Sequence, residues 1–189
     1  MAHRYFALSE DVQPGHWYLG EPRRAVTHEE ADACEFTAGR PISIQGRMKV
    51  PVTATGRPLD FSTAGISATP IVHVKVATRL SELAPDDVQF IPVDVEGQPD
   101  QYLILVATKL IRCIDPNATR EVRYWKPEHG QPERVGEYRS VAGLRIDPGL
   151  VGDAKLFRTW GWDIALIVSE DLKVAIEQEQ TTGARFTEV

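Results

Sequence analysis

Apolar positions along the chain fall into short runs with two different periods. Arg4 to Leu8 and Pro41 to Val52 alternate apolar and polar residues between glycines and prolines, while Val88 to Val95 and Tyr102 to Ile114 are richer in β-branched residues. All four segments predict strands. Tyr138 to Ile146 predicts another, closed by the turn signal Asp147-Pro148-Gly149. Ile164 to Val168 is a short apolar run of the buried-strand type. Ser169 then offers an N-cap, with Glu170 and Asp171 in the first turn, where negative charge suits the helix dipole. Leu172, Ala175 and Ile176 form an apolar stripe and Gly183 suits the position past the end, so the spacing predicts a helix over 169–182.

Residues 70–83 carry both periods. Val72, Val74 and Val76 alternate with His73, Lys75 and Ala77 as in a strand, whereas Val72, Val76, Leu80 and Leu83 share one helical stripe. The Thr69-Pro70 start signal and the stop at Pro85 favour helix. Strands outnumber helices and no regular βαβ alternation appears, so the expected class is α+β with a largely antiparallel sheet.

Two stretches resemble each other. Ile71 to Val93 and Ile167 to Val189, laid side by side without a gap, share Ile71/Ile167, Val72/Val168, Phe90/Phe186 and Val93/Val189, with Val76/Leu172 and Leu80/Ile176 apolar in both. The recurring unit reads as a helix, a turn and a strand ending in Phe-x-x-Val. The chain is expected to form one domain over 1–189, with a Pro- and Gly-rich region from Arg47 to Pro70 as the place where an N-terminal lobe (1–65) would part from the rest (66–189).

Composition narrows the function classes. With 189 residues and 42% apolar content the chain can bury a real core. A net charge of -6 makes it a poor general binder of nucleic-acid backbones. No stretch approaches the roughly 18 apolar residues of a membrane span, and the N-terminus lacks the apolar core of an export signal, so a cytoplasmic protein is expected. Cys34 and Cys113 are the only cysteines, too few and too far apart for a stapled scaffold. The acidity is local: residues 76–100 carry 1 basic and 6 acidic side chains and residues 146–189 carry 4 and 8, while 101–145 carry 8 and 5. These acidic blocks coincide with the two similar stretches.

Catalytic and cofactor motifs are not in view. The histidines show no His-x-x-x-His pair and no close spacing to a cysteine, so no metal site is expected. Walker, Gly-x-Gly-x-x-Gly and Gly-x-Ser-x-Gly patterns are missing, and no cofactor is expected. The aromatic pairs stand out instead. Trp17-Tyr18, Tyr124-Trp125 and Trp160-Gly161-Trp162 lie beside Gly, Pro or charged residues, outside the main apolar runs. Such rings either anchor an interface or cap the ends of a sheet. Arg123-Tyr124-Trp125-Lys126 is the strongest interface candidate among them.

The segments Trp17-Tyr18-Leu19-Gly20-Glu21-Pro22, Gly56-Arg57-Pro58-Leu59-Asp60-Phe61 and Asp87-Val88-Gln89-Phe90-Ile91-Pro92-Val93 resemble, in order, motifs of a bacterial immunity-protein family of polymorphic toxin systems, the myxobacterial-type immunity domain. Glu121 to Pro127, Val141 to Pro148, Gly152 to Lys155 and Trp160-Gly161-Trp162 continue the resemblance over nearly the whole chain. It implies a companion to a secreted toxin that protects the producing cell by binding its cognate toxin, with no catalytic residues to carry over. If that toxin has a basic cleft, Glu82, Asp86 and Asp87 in the first acidic block and Glu170, Asp171, Glu177 and Glu179 in the second are the candidate contacts, competing with the toxin's substrate. Two other classes stay open: a hydrolase-type enzyme that uses carboxylates and His129 to reverse a toxin's modification, and a module that self-associates through its aromatics.

Overall fold

The segment carrying both periods resolves into both structures. Thr69–His73 is a strand and the helix begins at Val74, which corrects the expected helix over 70–83 at its first turn. Val72 is claimed by a strand on each side, opposite Phe61 and Leu103, and this pairing outweighs the local helical stripe. His73 ends the strand and caps the helix, its Nδ1 accepting the Lys75 N–H at 3.2 Å.

The computed structural model describes residues 3–189. In chain order the strands are β1 (Tyr5–Glu10), β2 (Tyr18–Leu19), β3 (Arg23–Arg24), β4 (Met48–Val50), β5 (Val52–Ala54), β6 (Phe61–Ala64) and β7 (Thr69–His73), followed by helix α1 (Val74–Leu83). Next come β8 (Val88–Val95), β9 (Tyr102–Ala107), β10 (Leu110–Ile111), β11 (Glu121–Tyr124), β12 (Tyr138–Ala142), β13 (Leu156–Thr159) and β14 (Trp162–Ser169). Helix α2 (Glu170–Gln178) and β15 (Ala184–Glu188) close the chain. The fold is α+β and mostly sheet. An 8-stranded sheet runs β3-β4-β8-β9-β7-β6-β2-β5, a 5-stranded sheet runs β10-β13-β14-β1-β15, and β11 and β12 form a separate ribbon.

Some expected boundaries move. Pro41 to Arg47 is not a strand, because the Gln89 side chain takes up both backbone groups of Ile42, at 2.9 and 2.7 Å. The expected strand over Tyr138 to Ile146 stops at Ala142, and the helix expected over 169–182 stops at Gln178. Gln180 then turns left-handed at φ 52, and Gly183 at φ +85 packs so close to the Phe61 carbonyl that no Cβ would fit.

The resemblance between the two stretches is structural. Each contains a strand, a helix and a strand, β7-α1-β8 and β14-α2-β15, and the strands of each are held apart by an inserted antiparallel one. The inserted strands are β9 and β1, so the spatial orders β8-β9-β7-β6 and β15-β1-β14-β13 correspond strand for strand. Register corresponds too. Phe90 lies opposite Leu105 and Phe186 opposite Leu8, and Val72 opposite Leu103 and Val168 opposite Phe6. Tyr102-Leu103-Ile104-Leu105 is therefore the counterpart of Tyr5-Phe6-Ala7-Leu8.

The two halves are clasped reciprocally. The turn after α2 meets the start of β6: Asp60 Oδ2 accepts from the Thr182 N–H and hydroxyl at 2.9 Å each, and the Phe61 N–H donates to Thr182 O at 3.0 Å. Likewise the turn after α1 meets the start of β13, where Asp87 Oδ2 accepts from the N–H groups of Lys155 and Leu156 at 2.7 and 3.2 Å. Between the clasps lies a shared core that includes Val72, Leu80 and Leu105 from one half and Phe6, Val168 and Leu172 from the other. A second core, around Trp17, Met48 and Ile104, fills the opposite face of the larger sheet.

Candidate partner-binding surface

Most of the acidic candidates are paired within the protein. Glu82 meets Arg79 at 3.0 Å, Glu170 meets Arg4 at 2.7 Å, Asp171 meets Lys155 at 2.7 Å and Glu177 meets Lys173 at 2.8 Å. Burial works to raise the Asp171 pKa, but Lys155, the Ser169 hydroxyl and the Leu172 N–H outweigh it and hold the carboxyl below its ordinary value. Asp87 is only 4% exposed and is held by Lys109 at 2.6 Å as well as by its two N–H donors. It is a clasp, which takes it off the surface. Among the described residues, Asp86 and Glu179 are the two of these seven that are exposed without an ion-pair partner. These seven candidates therefore present less free charge than their number suggests.

The aromatic candidates divide. Trp17 is a core residue, its Nε1 donating to Ser62 Oγ at 2.7 Å, whereas Tyr18 is exposed. Arg123-Tyr124-Trp125-Lys126 lies on an arm formed by the β11-β12 ribbon and two short 3-10 turns, Pro127–His129 and Pro132–Arg134. Tyr124 stacks on Tyr138 with ring centroids 5.1 Å apart. The half-buried Trp125 ring has the Arg134 guanidinium 4.8 Å and the Arg139 guanidinium 5.6 Å from its centroid, with His129 edge-on at 5.8 Å. Its Nε1 is buried without a protein acceptor. Both His129 nitrogens are engaged inside the arm, Nδ1 with the Lys126 N–H at 3.0 Å and Nε2 beside Arg139 Nη1 at 3.1 Å.

Beside the arm lies a groove of about 560 Å³ that the sequence did not single out. Its apolar lining comes from three separate places: Ile66 in the β6-β7 turn, Leu110 in β10 and Ile164 in β14, exposed by 94%, 42% and 63%. The β6-β7 turn and the β13-β14 turn are counterparts in the two halves, so the groove forms where equivalent hairpin tips converge. Each tip is braced from beneath. The Glu21 carboxylate accepts the Ile66 N–H at 2.5 Å and fills the space under Gly65, whose φ of +68 and lack of a side chain allow this approach. Arg158, 2% exposed, donates through Nη1 to the carbonyls of Asp163 and Ile164 at 3.2 and 2.9 Å. Burial pushes its pKa down to about 10, and its Nε and Nη2 have no protein acceptor. Trp160 walls the groove, with the Arg112 guanidinium 4.1 Å from its ring. The sequence signals for this site were Trp160-Gly161, already singled out as aromatic-rich, and an isoleucine in a four-residue turn, Gly65-Ile66-Ser67-Ala68, where polar residues are the rule.

Two other hollows carry charges of both signs in their lining. One, beside β4 and β8, is lined by Arg23, Lys49, Asp94 and Glu96, and the other, between α1 and α2, by Arg4, Arg79, Asp153 and Glu170. Among the described residues no group of three or more metal-ligating side chains converges, and no helix is long and apolar enough to cross a membrane.

Taken together, the arm and groove have the composition that protein interfaces favour: exposed aliphatics, Tyr and Trp stacked with Arg, and a polar rim. The chain belongs to the immunity protein family (Imm11), whose family model matches residues 12–189. Proteins of such a family neutralise toxins. No curated protein matches the chain.

Proposed function

We propose that this protein neutralises its cognate toxin by stoichiometric binding, occluding the toxin in the cytoplasm of the producing cell without turnover. One observation carries the reading: of the ten large apolar or tyrosine side chains that stand exposed among the described residues, Ile66, Leu110 and Ile164 line one groove, and Tyr124 and Val135 belong to the arm beside it. Concentration of apolar surface at one face is what a binding protein needs and a monomer otherwise avoids. The carboxylates with clearly moved ionisation, Asp60, Asp94, Asp171 and Glu188, are all moved downward, toward the charged form. None of these four shows the raised pKa of a carboxyl general acid.

The test is co-expression of this chain with the toxin encoded beside its gene. Protection of the cells and co-purification of the two chains at equal stoichiometry are expected. A toxin that kills regardless, or fails to co-purify, contradicts the proposal.

A further inference from the structure

Charge around the groove is one-sided. Its lining includes Glu133, Glu137 and Asp163 against the single cation Arg134. Arg134 is consumed by Glu137 at 3.1 Å. Among the described residues, Glu133 and Asp163 make no side-chain ion pair, and the nearest cation to Asp163 is the buried Arg158 guanidinium, which is turned to the Asp163 carbonyl. The Cys34 thiol at the groove edge senses the same field: partial burial pushes its pKa up, and Asp163 and Asp32 add to the rise. An apolar floor with unneutralised carboxylates on its rim complements one chemistry, a large aliphatic or aromatic side chain flanked by Lys or Arg.

We infer that this groove is the principal docking site for the toxin and receives from it an exposed loop bearing an apolar anchor between cationic residues. The inference rests on the stoichiometric-binding reading and adds to it the face and the chemistry of the contact. Ile66 in the β6-β7 turn and Ile164 near the start of β14 bracket the anchor, and Glu133 and Asp163 meet its cations. Because both isoleucines are solvent-exposed and are held by backbone contacts to Glu21 and Arg158, replacing their side chains leaves the supports in place.

Affinity of purified wild type, Ile66→Asp, Ile164→Asp and Glu133→Gln/Asp163→Asn for the neighbouring toxin provides the test, with Val26→Asp as a control at an exposed apolar position outside the groove. Each isoleucine variant is expected to weaken binding at least thirtyfold. The double neutralisation should slow association about threefold to tenfold and flatten its salt dependence, and the control should bind as wild type. Circular dichroism establishes that each variant is folded. As an independent readout, a thiol-specific maleimide should label exposed Cys34 in the free protein and not in the complex, buried Cys113 staying silent in both.

Wild-type affinity in folded isoleucine variants, with wild type itself binding, would remove the groove from the interface and leave the immunity reading intact. A free protein that is already dimeric with Cys34 shielded would mean that a second copy occupies the groove, and the inference would be wrong. Failure of wild type to bind or protect would overturn the binding reading together with the inference.

Discussion

At the residue scale, the polar groups that matter most are buried or half-buried and carry structural tasks. Asp60 and Asp87 close the two clasps, and Arg158 supports a turn at some cost. A guanidinium with two unpartnered nitrogens in the interior is expensive: a pKa lowered to about 10 corresponds to a penalty of about 3 kcal/mol. Arg158→Met removes that penalty and leaves two carbonyls without their donor, so its unfolding free energy should lie within about 1 kcal/mol of wild type or above it. Toxin affinity should nevertheless fall, because the Asp163–Ile164 segment loses its brace. Chemical denaturation and a binding titration check both halves, and a loss of more than about 3 kcal/mol would show that the bonds outweigh the buried charge.

Asp60 gives the protein an acid limit. Burial acts to raise its pKa, but Thr182 and Lys75 outweigh it, so the folded-state carboxyl titrates below its ordinary value of 3.8. A depressed carboxylate contributes its stability in full above the unfolded pKa and loses it as pH falls through the folded one. Thermal midpoints should therefore hold between pH 7 and 5 and drop below about pH 4. Asp60→Asn should be less stable at neutral pH and lose less on acidification. A parallel pH profile for the two proteins would count against this role.

At the element scale, the arm and the hairpin tips are separable devices. The arm presents Trp125 between two guanidiniums, an arrangement that supplies affinity when a partner excludes water from it. Trp125→Ala should cost about 2 kcal/mol in toxin binding with little change in thermal midpoint, since the ring is half-buried on the arm and belongs to no core cluster. Equal losses in binding and stability would make it a core residue instead. Of the arm, only the run Arg123-Tyr124-Trp125-Lys126 was legible in sequence; the guanidiniums on Trp125 come from Arg134 and Arg139, whereas Arg123 and Lys126 pair with Glu121 and Glu128. The groove was not legible, because Ile66, Leu110 and Ile164 come from three distant segments, and only folding shows that they converge. The start of α1 was misplaced for a related reason: Val72 satisfies both periods, and the deciding influence is strand pairing with residues near 61 and 103.

For the whole molecule, the fold is best understood as one unit used twice, with the third strand of each copy drawn from a different place in the chain. The Ile71/Ile167 to Val93/Val189 correspondence was readable as a resemblance, and the identical strand order gives it a physical basis. Tyr5-Phe6-Ala7-Leu8 and Tyr102-Leu103-Ile104-Leu105 escaped notice because one precedes its unit and the other follows it. Segments carrying the family resemblance also acquire tasks: Glu21 braces a groove tip, Asp60 and Asp87 clasp the halves, and Trp160 walls the groove. The acidic blocks lose prominence at this scale. Several of their carboxylates pair with cations of this chain, so the surplus of six negative charges rests on other carboxylates, Asp86, Asp163 and Glu179 among them.

The central claim is neutralisation by occupancy rather than by turnover, and a titration of toxin activity against added immunity protein addresses it most directly. At toxin concentrations well above the dissociation constant, inhibition should rise linearly and saturate at one equivalent, with active toxin recovered when the complex is dissociated. Full inactivation by a small fraction of an equivalent, leaving toxin that stays inactive after separation, would contradict it.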